Sequence, residues 1–230
     1  MAQFTRLEVT HQIYETGLIP IFYHPDLEIA KNIVKACYDG GVRVMEYTNR
    51  GDFAHALYAE LNRYVIRSLP GMIFGAGTIL DGATAALYLQ KGANFIVSPV
   101  LKDDIAVICN RRKVAWIPGC GSVTEISHAE ELGAEFVKIF PAQSVGGPDF
   151  IKAVKGPMPW TSFIITGGVT TDEDNLRQWF KAGACCVGMG SHLITKEIIR
   201  TKNYDLLQEK TAQVISLIKK IKSNIKPAVS

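Results

Sequence analysis

The chain has 230 residues, of which 47% are hydrophobic and 20% are charged, and its formal net charge is +3. This length and composition suit the core of one barrel domain, and so small a charge does not indicate a nucleic-acid or polyanion partner. Charged residues interrupt each apolar stretch before it could span a bilayer, so we expect neither a membrane partner nor a signal peptide.

Cysteine and histidine usage argues against metal sites and disulfides. The five cysteines are odd in number and contain no C-x-x-C pair, so the pattern favours neither a disulfide framework nor a zinc site. The five histidines likewise lack the spacing of metal ligands. We therefore expect no metal, no cofactor and a reducing, cytoplasmic location.

Short apolar or β-branched runs alternate with longer amphipathic runs along the chain. The part before Leu18 predicts an extra N-terminal helix. Strands are then predicted at residues 18–23, 42–48, 72–77, 94–98, 115–117, 135–139, 162–166 and 185–188. The stretches between them predict helices at 27–39, 54–66, 83–91, 103–112, 124–132 and 173–182, with a C-terminal helix after Asn203. Apolar residues at i, i+3 and i+4 spacing are typical of helices that pack on a sheet.

Eight short buried strands that alternate with helices predict an α/β fold with a parallel sheet. Such a sheet can close into a (β/α)8 TIM barrel; a doubly wound open sheet is the alternative, but it rarely needs so even a repeat. Two helix starts carry the pattern of a capping box, Ser122 with Glu125 and Thr171 with Asp174. Since no linker or low-complexity segment is present, residues 1–230 are predicted to form a single barrel domain.

The sixth predicted strand contains a lysine between two phenylalanines. Because side chains alternate along a strand, Lys138 shares one face with Phe136 and Phe140. If the other face packs against helices, Lys138 points into the barrel, where burial lowers the pKa of a lysine and favours the nucleophilic amine. A lysine that reaches solvent from a strand end is the alternative interpretation, and the pattern alone leaves it open.

The second predicted strand changes character along one face. Its inward positions are apolar at the start and become acidic at Glu46 and basic at Arg50. In TIM barrels the functional residues lie at the carboxyl ends of strands, so Glu46 is a candidate proton shuttle beside Lys138. Arg50 is suited to binding a substrate carboxylate. A local ion pair between Glu46 and Arg50 is the alternative.

Glycines follow the seventh and eighth predicted strands. The first group is Thr166, Gly167 and Gly168, and the second contains Gly190 and Ser191. Glycines at these positions expose backbone N–H groups, which together with a helix N-terminus can bind a phosphate. They could also serve only to make tight turns. The pattern by itself indicates a phosphorylated ligand and nothing narrower.

The strand-end residues, taken in order, resemble the 2-dehydro-3-deoxy-phosphogluconate (KDPG) aldolases, including the bifunctional 4-hydroxy-2-oxoglutarate (KHG) aldolases. The resemblance includes Glu-Tyr-Thr-Asn-Arg at 46–50, Val-Lys-Ile-Phe-Pro-Ala at 137–142 and Thr-Gly-Gly-Val at 166–169. Further matching stretches are 17–21, 75–78, 95–99, 117–119, 146–147 and 190–191. Each stretch alone is weak evidence for the family, whereas the whole set, in this order over roughly residues 17–195, is specific to it.

The resemblance implies a class I aldolase that cleaves KDPG to pyruvate and glyceraldehyde 3-phosphate, and also 4-hydroxy-2-oxoglutarate to pyruvate and glyoxylate. Lys138 is then the Schiff-base lysine and Glu46 the general acid/base. The family is commonly a homotrimer. The residues that the resemblance places around the pyruvate moiety are Arg50, Thr78, Pro99 and Phe140, and those that hold the phosphate are Gly167, Gly168 and Ser191. Thr166 and Gly190 are further expected substrate-binding residues.

Three departures from the family pattern lie near the pocket mouth. Gly51 follows Arg50 where the family usually has threonine, Val100 stands where glycine is frequent, and Ser122-Val123 replaces the usual Thr-Pro pair. These departures leave substrate choice more open than reaction type. Three alternatives therefore remain: an aldolase for the stereoisomeric 2-dehydro-3-deoxy-6-phosphogalactonate, another phosphate-binding barrel isomerase or synthase, and a non-catalytic sugar-phosphate binder.

Overall fold

The computed structural model describes residues 2–225; the predicted domain range 1–230 also includes Met1 and 226–230, which lie outside the described residues. The strands are β1 (Leu18–Phe22), β2 (Val44–Thr48), β3 (Ile73–Gly77), β4 (Phe95–Val97), β5 (Ala115–Ile117), β6 (Gly119–Cys120), β7 (Val137–Ile139), β8 (Phe163–Thr166) and β9 (Ala184–Met189). The helices are α1 (Arg6–Thr16), α2 (Leu27–Asp39), α3 (Ala54–Ser68), α4 (Gly82–Gln90), α5 (Asp103–Arg112), α6 (Val123–Glu131), α7 (Gly147–Lys155), α8 (Glu173–Ala182), α9 (Lys196–Thr201) and α10 (Tyr204–Asn224).

The strands are parallel and close into a barrel. Their order is β5-β4-β3-β2-β1-β9-β8-β7-β6, so the two outermost strands are separated in sequence only by Pro118. On one side Ser98 N–H donates to the Ile117 carbonyl, and on the other Lys138 N–H donates to the Pro118 carbonyl. β5 and β6 are thus two parts of one strand that proline interrupts because it has no N–H to donate. The predicted TIM barrel is confirmed.

Two apolar layers surround the strands. The outer layer lies between the sheet and the helices and contains the side chains of Val137 and Ile139. The inner layer fills the barrel, and α1 contributes Val9 and Ile13 to it, so the predicted N-terminal helix covers the amino-terminal end of the barrel. The remaining inner residues are Ile19, Val44, Ile73, Phe95, Val97, Ala115, Ile117, Phe136, Ile164 and Cys186.

The six bounded helices predicted from the sequence agree with the structure to within two residues at each end, whereas α7 and α9 were not among the predicted helices. The capping residue of α8 also differs from the prediction. The residue that caps α8 is Asp172, whose side chain accepts a hydrogen bond from Asn175 N–H, so the capping box predicted at Thr171 is wrong. Aspartate is a stronger N-cap than threonine, and the two compete at adjacent positions. At α6 the predicted cap is present, since the Ser122 side chain accepts from Glu125 N–H.

Some features are absent from the part of the chain that the structure describes. None of the helices in residues 2–225 is long and apolar enough to cross a membrane. No group of three or more His, Cys, Asp or Glu side chains among the described residues could hold a metal ion. The cysteines are all free, and four of the five are buried.

Candidate active site

Lys138 lies in the middle of β7 and points into the barrel, where only 6% of the residue is exposed. Alternation along the strand places Phe136 in the same inner layer, while Val137 packs outward against the helices. The structure therefore agrees with the predicted inward orientation and not with a lysine that reaches solvent.

Glu46 faces the same interior from β2 and is 2% exposed. The two residues line one narrow cavity, although no ion pair within 4.0 Å joins them. A Cβ atom on Gly77 would overlap the Glu46 carboxylate, so glycine at this position makes room for the acid. Arg50 is exposed, and the described residues contain no ion pair between it and Glu46, which contradicts the alternative interpretation. Apolar side chains form the cavity wall: Ile19, Ile21, Val97, Ile117 and Ile164.

Burial shifts the pKa values of both groups toward their uncharged forms. For Lys138, desolvation lowers the pKa; the Glu46 carboxylate opposes this shift and the Arg50 guanidinium adds to it. For Glu46, desolvation raises the pKa, and the positive charges of Lys138 and Arg50 oppose the change. An apolar cavity disfavours either charge because it supplies no solvation. The arrangement favours an uncharged, nucleophilic amine next to an acid that can hold a proton.

A wider cleft of about 530 Å³ lies at the carboxyl ends of the strands. The cleft and the cavity share Ile21, Thr166 and Gly188 in their walls, so they lie next to each other at this end of the barrel. The Thr166 hydroxyl is buried there and has no hydrogen-bond partner among residues 2–225. Most of the predicted substrate-binding residues line the cleft: Arg50, Thr166, Gly167, Gly168, Gly190 and Ser191.

The glycine segments present free backbone donors to the cleft. The carbonyl of Gly190 accepts hydrogen bonds from the N–H groups of Leu193 and Ile194, both at 3.0 Å, so the chain turns sharply after β9. The backbone N–H groups at the start of such a turn have no carbonyl acceptor within the turn itself. Clustered free N–H groups form an anion-binding concavity. Within the described chain, five N–H groups here donate to no acceptor, those of Gly167, Gly168, Gly190, Ser191 and His192.

Three predicted residues stand apart from the cleft lining. The Phe140 ring centroid lies 5.1 Å from Lys138 Nζ, so its position fits the expected contact with the lysine adduct. Thr78 and Pro99 follow β3 and β4 at the same end of the barrel, but they line neither the cavity nor the cleft. Their predicted contacts with pyruvate remain predictions.

Sequence reasoning missed several residues of the site. Tyr23, His192 and Lys196 line the cleft, and Gly188 leaves room for the Thr166 hydroxyl. Tyr23 directly follows β1, so the rule that strand ends carry function would have found it. His192 and Lys196 belong to the turn and helix after β9, where no strand-end pattern distinguishes them from surface residues.

Comparison with known proteins identifies the family. The family model described as KDPG and KHG aldolase matches residues 9–210. This chain belongs to that family. A 2-dehydro-3-deoxy-phosphogluconate aldolase of Pseudoalteromonas atlantica is 30% identical over 208 residues, which cover 90% of this chain and 94% of the relative. The KHG/KDPG aldolase of Escherichia coli K12 is 30% identical over 205 residues, which cover 88% of this chain and 93% of the relative.

Solved structures agree with this assignment. The KDPG aldolase of Legionella pneumophila, with pyruvate captured at low pH as a covalent carbinolamine intermediate, superposes with a TM-score of 0.81. The two sequences are 27% identical, and the alignment covers 89% of this chain and 97% of the Legionella chain. The chain is therefore a class I aldolase, a lyase that acts on a small-molecule substrate, and the isomerase, synthase and non-catalytic alternatives are not supported.

Proposed function

We propose that this aldolase cleaves KDPG to pyruvate and glyceraldehyde 3-phosphate through an imine on Lys138. One observation carries the proposal: a buried lysine with a lowered pKa faces Glu46 next to a cleft whose rim presents five free N–H groups. The amine suits attack on a carbonyl, and the N–H groups suit a phosphate. The names of the curated relatives support the same substrate.

The first half of the proposed reaction forms the imine. The uncharged Nζ of Lys138 attacks C2 of the 2-oxo acid. The resulting carbinolamine takes up a proton from solvent and loses water, which leaves an iminium ion, and the final hydrolysis returns that proton to solvent. Phe140 lies against the lysine, and Arg50 supplies a cation for the substrate carboxylate. Thr78 and Pro99 are proposed to complete the surroundings of the pyruvate moiety. The positively charged iminium nitrogen can then accept an electron pair.

The second half breaks the C3–C4 bond. Glu46 removes the proton of the C4 hydroxyl, directly or through water, while the C3–C4 electron pair moves toward the iminium nitrogen. The aldehyde leaves, and an enamine remains on Lys138. Protonation at C3 restores the imine, and addition of water to C2 releases pyruvate and the free amine. Every proton that Glu46 takes is returned, so the enzyme ends unchanged.

The phosphate end is proposed to bind at the free N–H groups. Gly167, Gly168 and Ser191 would contact the phosphate, with Thr166 and Gly190 as the adjoining residues of the same walls. For the backbone to come close to the phosphate, residues 167 and 168 need to be glycine, since their φ angles are +96° and +85°. Neither position therefore tolerates an ordinary side chain.

Substrate choice is tested by a panel of 2-oxo acids assayed for pyruvate release. We expect cleavage of KDPG, weaker cleavage of 4-hydroxy-2-oxoglutarate, and discrimination against 2-dehydro-3-deoxy-6-phosphogalactonate. The second substrate is included because the matching family model covers KHG aldolases. Faster turnover of the galactonate isomer would show that the enzyme prefers the opposite configuration at C4 of the substrate. If none of the 2-oxo acids released pyruvate, the proposal would be rejected.

The pH dependence of imine trapping should follow the Lys138 pKa. Because burial lowers this pKa, trapping by pyruvate and a cyanoborohydride should become complete well below pH 10.5, the ordinary pKa of lysine. The charge of Arg50 contributes to the lowering, so Arg50→Gln should raise the pKa and move the profile to higher pH. Mass spectrometry of the adduct against pH measures both profiles. A shift to lower pH in the variant would contradict the assigned charge interaction.

A side chain at Gly168 should impair use of phosphorylated substrates. Gly168→Val should raise KM for KDPG about 10-fold or more and change the cleavage of 4-hydroxy-2-oxoglutarate far less, because only the former needs the phosphate site. Gly71→Val is the matched control, since Gly71 also has a positive φ, +78°, but has no atom within 4 Å of an added Cβ. Equal effects of Gly168→Val on the two substrates would mean that Gly168 only shapes the fold.

Assembly and location are proposed from the family pattern and the cysteines. We propose that the chain acts as one barrel domain in a homotrimer, which light scattering would show as three times the chain mass of 25.3 kDa. The free cysteines support a reducing compartment such as the cytoplasm. A monomer or dimer in solution would contradict the proposed assembly.

A further inference from the structure

Gly51 directly follows Arg50, at a position where the family usually carries threonine. Its backbone does not demand glycine, because its φ lies outside the left-handed region. A Cβ atom at this position, however, would overlap the hydroxyl oxygen of Tyr23 and lie 2.5 Å from its ring carbon Cζ. Carbon atoms do not approach so closely, so the phenol of Tyr23 occupies the space that a side chain at 51 would need. Glycine at 51 and tyrosine at 23 therefore depend on each other.

The phenol of Tyr23 is held in place by a second tyrosine. Its ring packs on Tyr47 with centroids 5.6 Å apart and planes inclined by 52°. Tyr47 is itself buried, and its hydroxyl donates to the His24 carbonyl at 3.1 Å. Tilted aromatic pairs of this kind restrict ring motion and stabilise one position. Tyr23 thus presents a fixed group at the surface of the cleft.

The position of Tyr23 in the barrel lies between the two ends of the proposed substrate. In the sheet β1 lies between β2 and β9, so its carboxyl end separates Arg50 from the free N–H groups of Gly190 and Ser191. Tyr23 lines the cleft there, half-buried. Its ring packs against the outer apolar layer, and within residues 2–225 its hydroxyl forms no hydrogen bond, so a ligand that reached the hydroxyl would displace no protein partner.

We propose that Tyr23 is a substrate-binding residue whose hydroxyl forms a hydrogen bond with a hydroxyl group of the substrate chain beyond C4. The proposal rests on the proposed function, because it places the substrate between Arg50 and the glycine segments. KDPG carries such a group at C5, and 4-hydroxy-2-oxoglutarate has carboxylate oxygens on the same carbon, which would also accept from the phenol. Tyr23 would then favour 2-oxo acids that carry an oxygen at C5, a preference that Gly51 permits by leaving space for the phenol.

Tyr23→Phe tests this selection because it removes the hydroxyl and keeps the ring. KM for KDPG should rise about 3- to 10-fold, the usual effect of one lost hydrogen bond, with kcat nearly unchanged. KM for a 5-deoxy analogue of KDPG, which has no oxygen on C5, should not change. Tyr64→Phe is the matched control, since Tyr64 is half-buried on α3, lies against Lys31 and does not line the cleft. Equal KM values for wild type and Tyr23→Phe with KDPG would overturn the proposal.

Substitution at Gly51 provides an independent test. Gly51→Ala should displace the phenol and raise KM for KDPG at least as much as Tyr23→Phe. In a Tyr23→Ala background the same change should add nothing, because the space is then empty. Additive effects would overturn the proposed coupling. Borohydride trapping of pyruvate separates the two proposals: its absence in wild type would reject the Lys138 imine and this inference with it, whereas intact trapping with an unchanged Tyr23→Phe rejects this inference alone.

Discussion

Replacing Lys138 with methionine should abolish pyruvate release from KDPG, lowering kcat by about 10,000-fold or more, because no other amine among residues 2–225 lines the cavity with Glu46. The same variant should yield no adduct with pyruvate and borohydride, as measured by mass spectrometry of the intact chain. Wild type should gain one pyruvyl group, located at Lys138. An adduct on another residue, or substantial turnover by the variant, would remove Lys138 from the reaction.

Loss of folding does not explain this expected result. Burial lowers the pKa of Lys138, so the unfolded chain binds its proton more readily than the folded chain, and the lysine destabilises the fold at neutral pH. The cost disappears as pH rises above 10.5, the ordinary pKa of lysine. Lys138→Met should therefore unfold at the same temperature as wild type or a higher one at pH 7. A clear decrease would show that the lysine stabilises the barrel.

Lys155 supplies a matched control for the lysine. Burial lowers the pKa of Lys155 as well, but its ammonium donates to the carbonyls of Pro159 and Thr161, at 3.0 and 2.6 Å. These residues precede β8, at the opposite end of the barrel from the cleft. Lys155→Met should keep both activity and trapping. An inactive but folded Lys155→Met would show that a lowered pKa alone does not distinguish the reactive lysine.

Glu46→Gln should lower kcat and kcat/KM together, by about 100- to 10,000-fold, because a proton shuttle acts mainly in the transition state. KM should change little. Pyruvate should still be trapped on Lys138, because the lysine remains. The Glu46 carboxylate raises the Lys138 pKa, so its removal should move the trapping profile to lower pH, opposite to the effect of Arg50→Gln.

Two outcomes would decide between the roles of Glu46. A near-normal kcat with a raised KM would mean that the carboxylate only positions substrate or protein. If the variant lost both imine trapping and turnover, Glu46 would act in imine formation and not in C3–C4 cleavage alone. Glu135→Gln is the control, because Glu135 precedes β7 at the other end of the barrel and pairs with Arg6 at 3.6 Å. That variant should retain wild-type kinetics.

The amino-acid sequence by itself determined the architecture and the strand faces on which the proposed reactive residues lie. Apolar runs separated by amphipathic stretches placed α2, α5 and α8 at their observed bounds, because helix periodicity and capping depend on nearby residues. Strand alternation placed Lys138 on the same strand face as Phe136 and Phe140 for the same reason, while the structure decided that this face points into the barrel. The glycines after β8 and β9 were recognised as a possible anion site from their local pattern alone.

The tertiary structure decided what depends on residues far apart in the chain. The division of one strand into β5 and β6 follows from hydrogen bonds to two different neighbouring strands, one on each side. The shifted pKa values of Lys138 and Glu46 arise from the apolar walls supplied by other strands. In the sequence, Gly51 was only a departure from the family pattern. The structure explains it, because the phenol of Tyr23 occupies the space that a side chain at position 51 would need. Burial and volume are properties of the packed molecule, and a linear sequence does not specify which distant side chains will share one cavity.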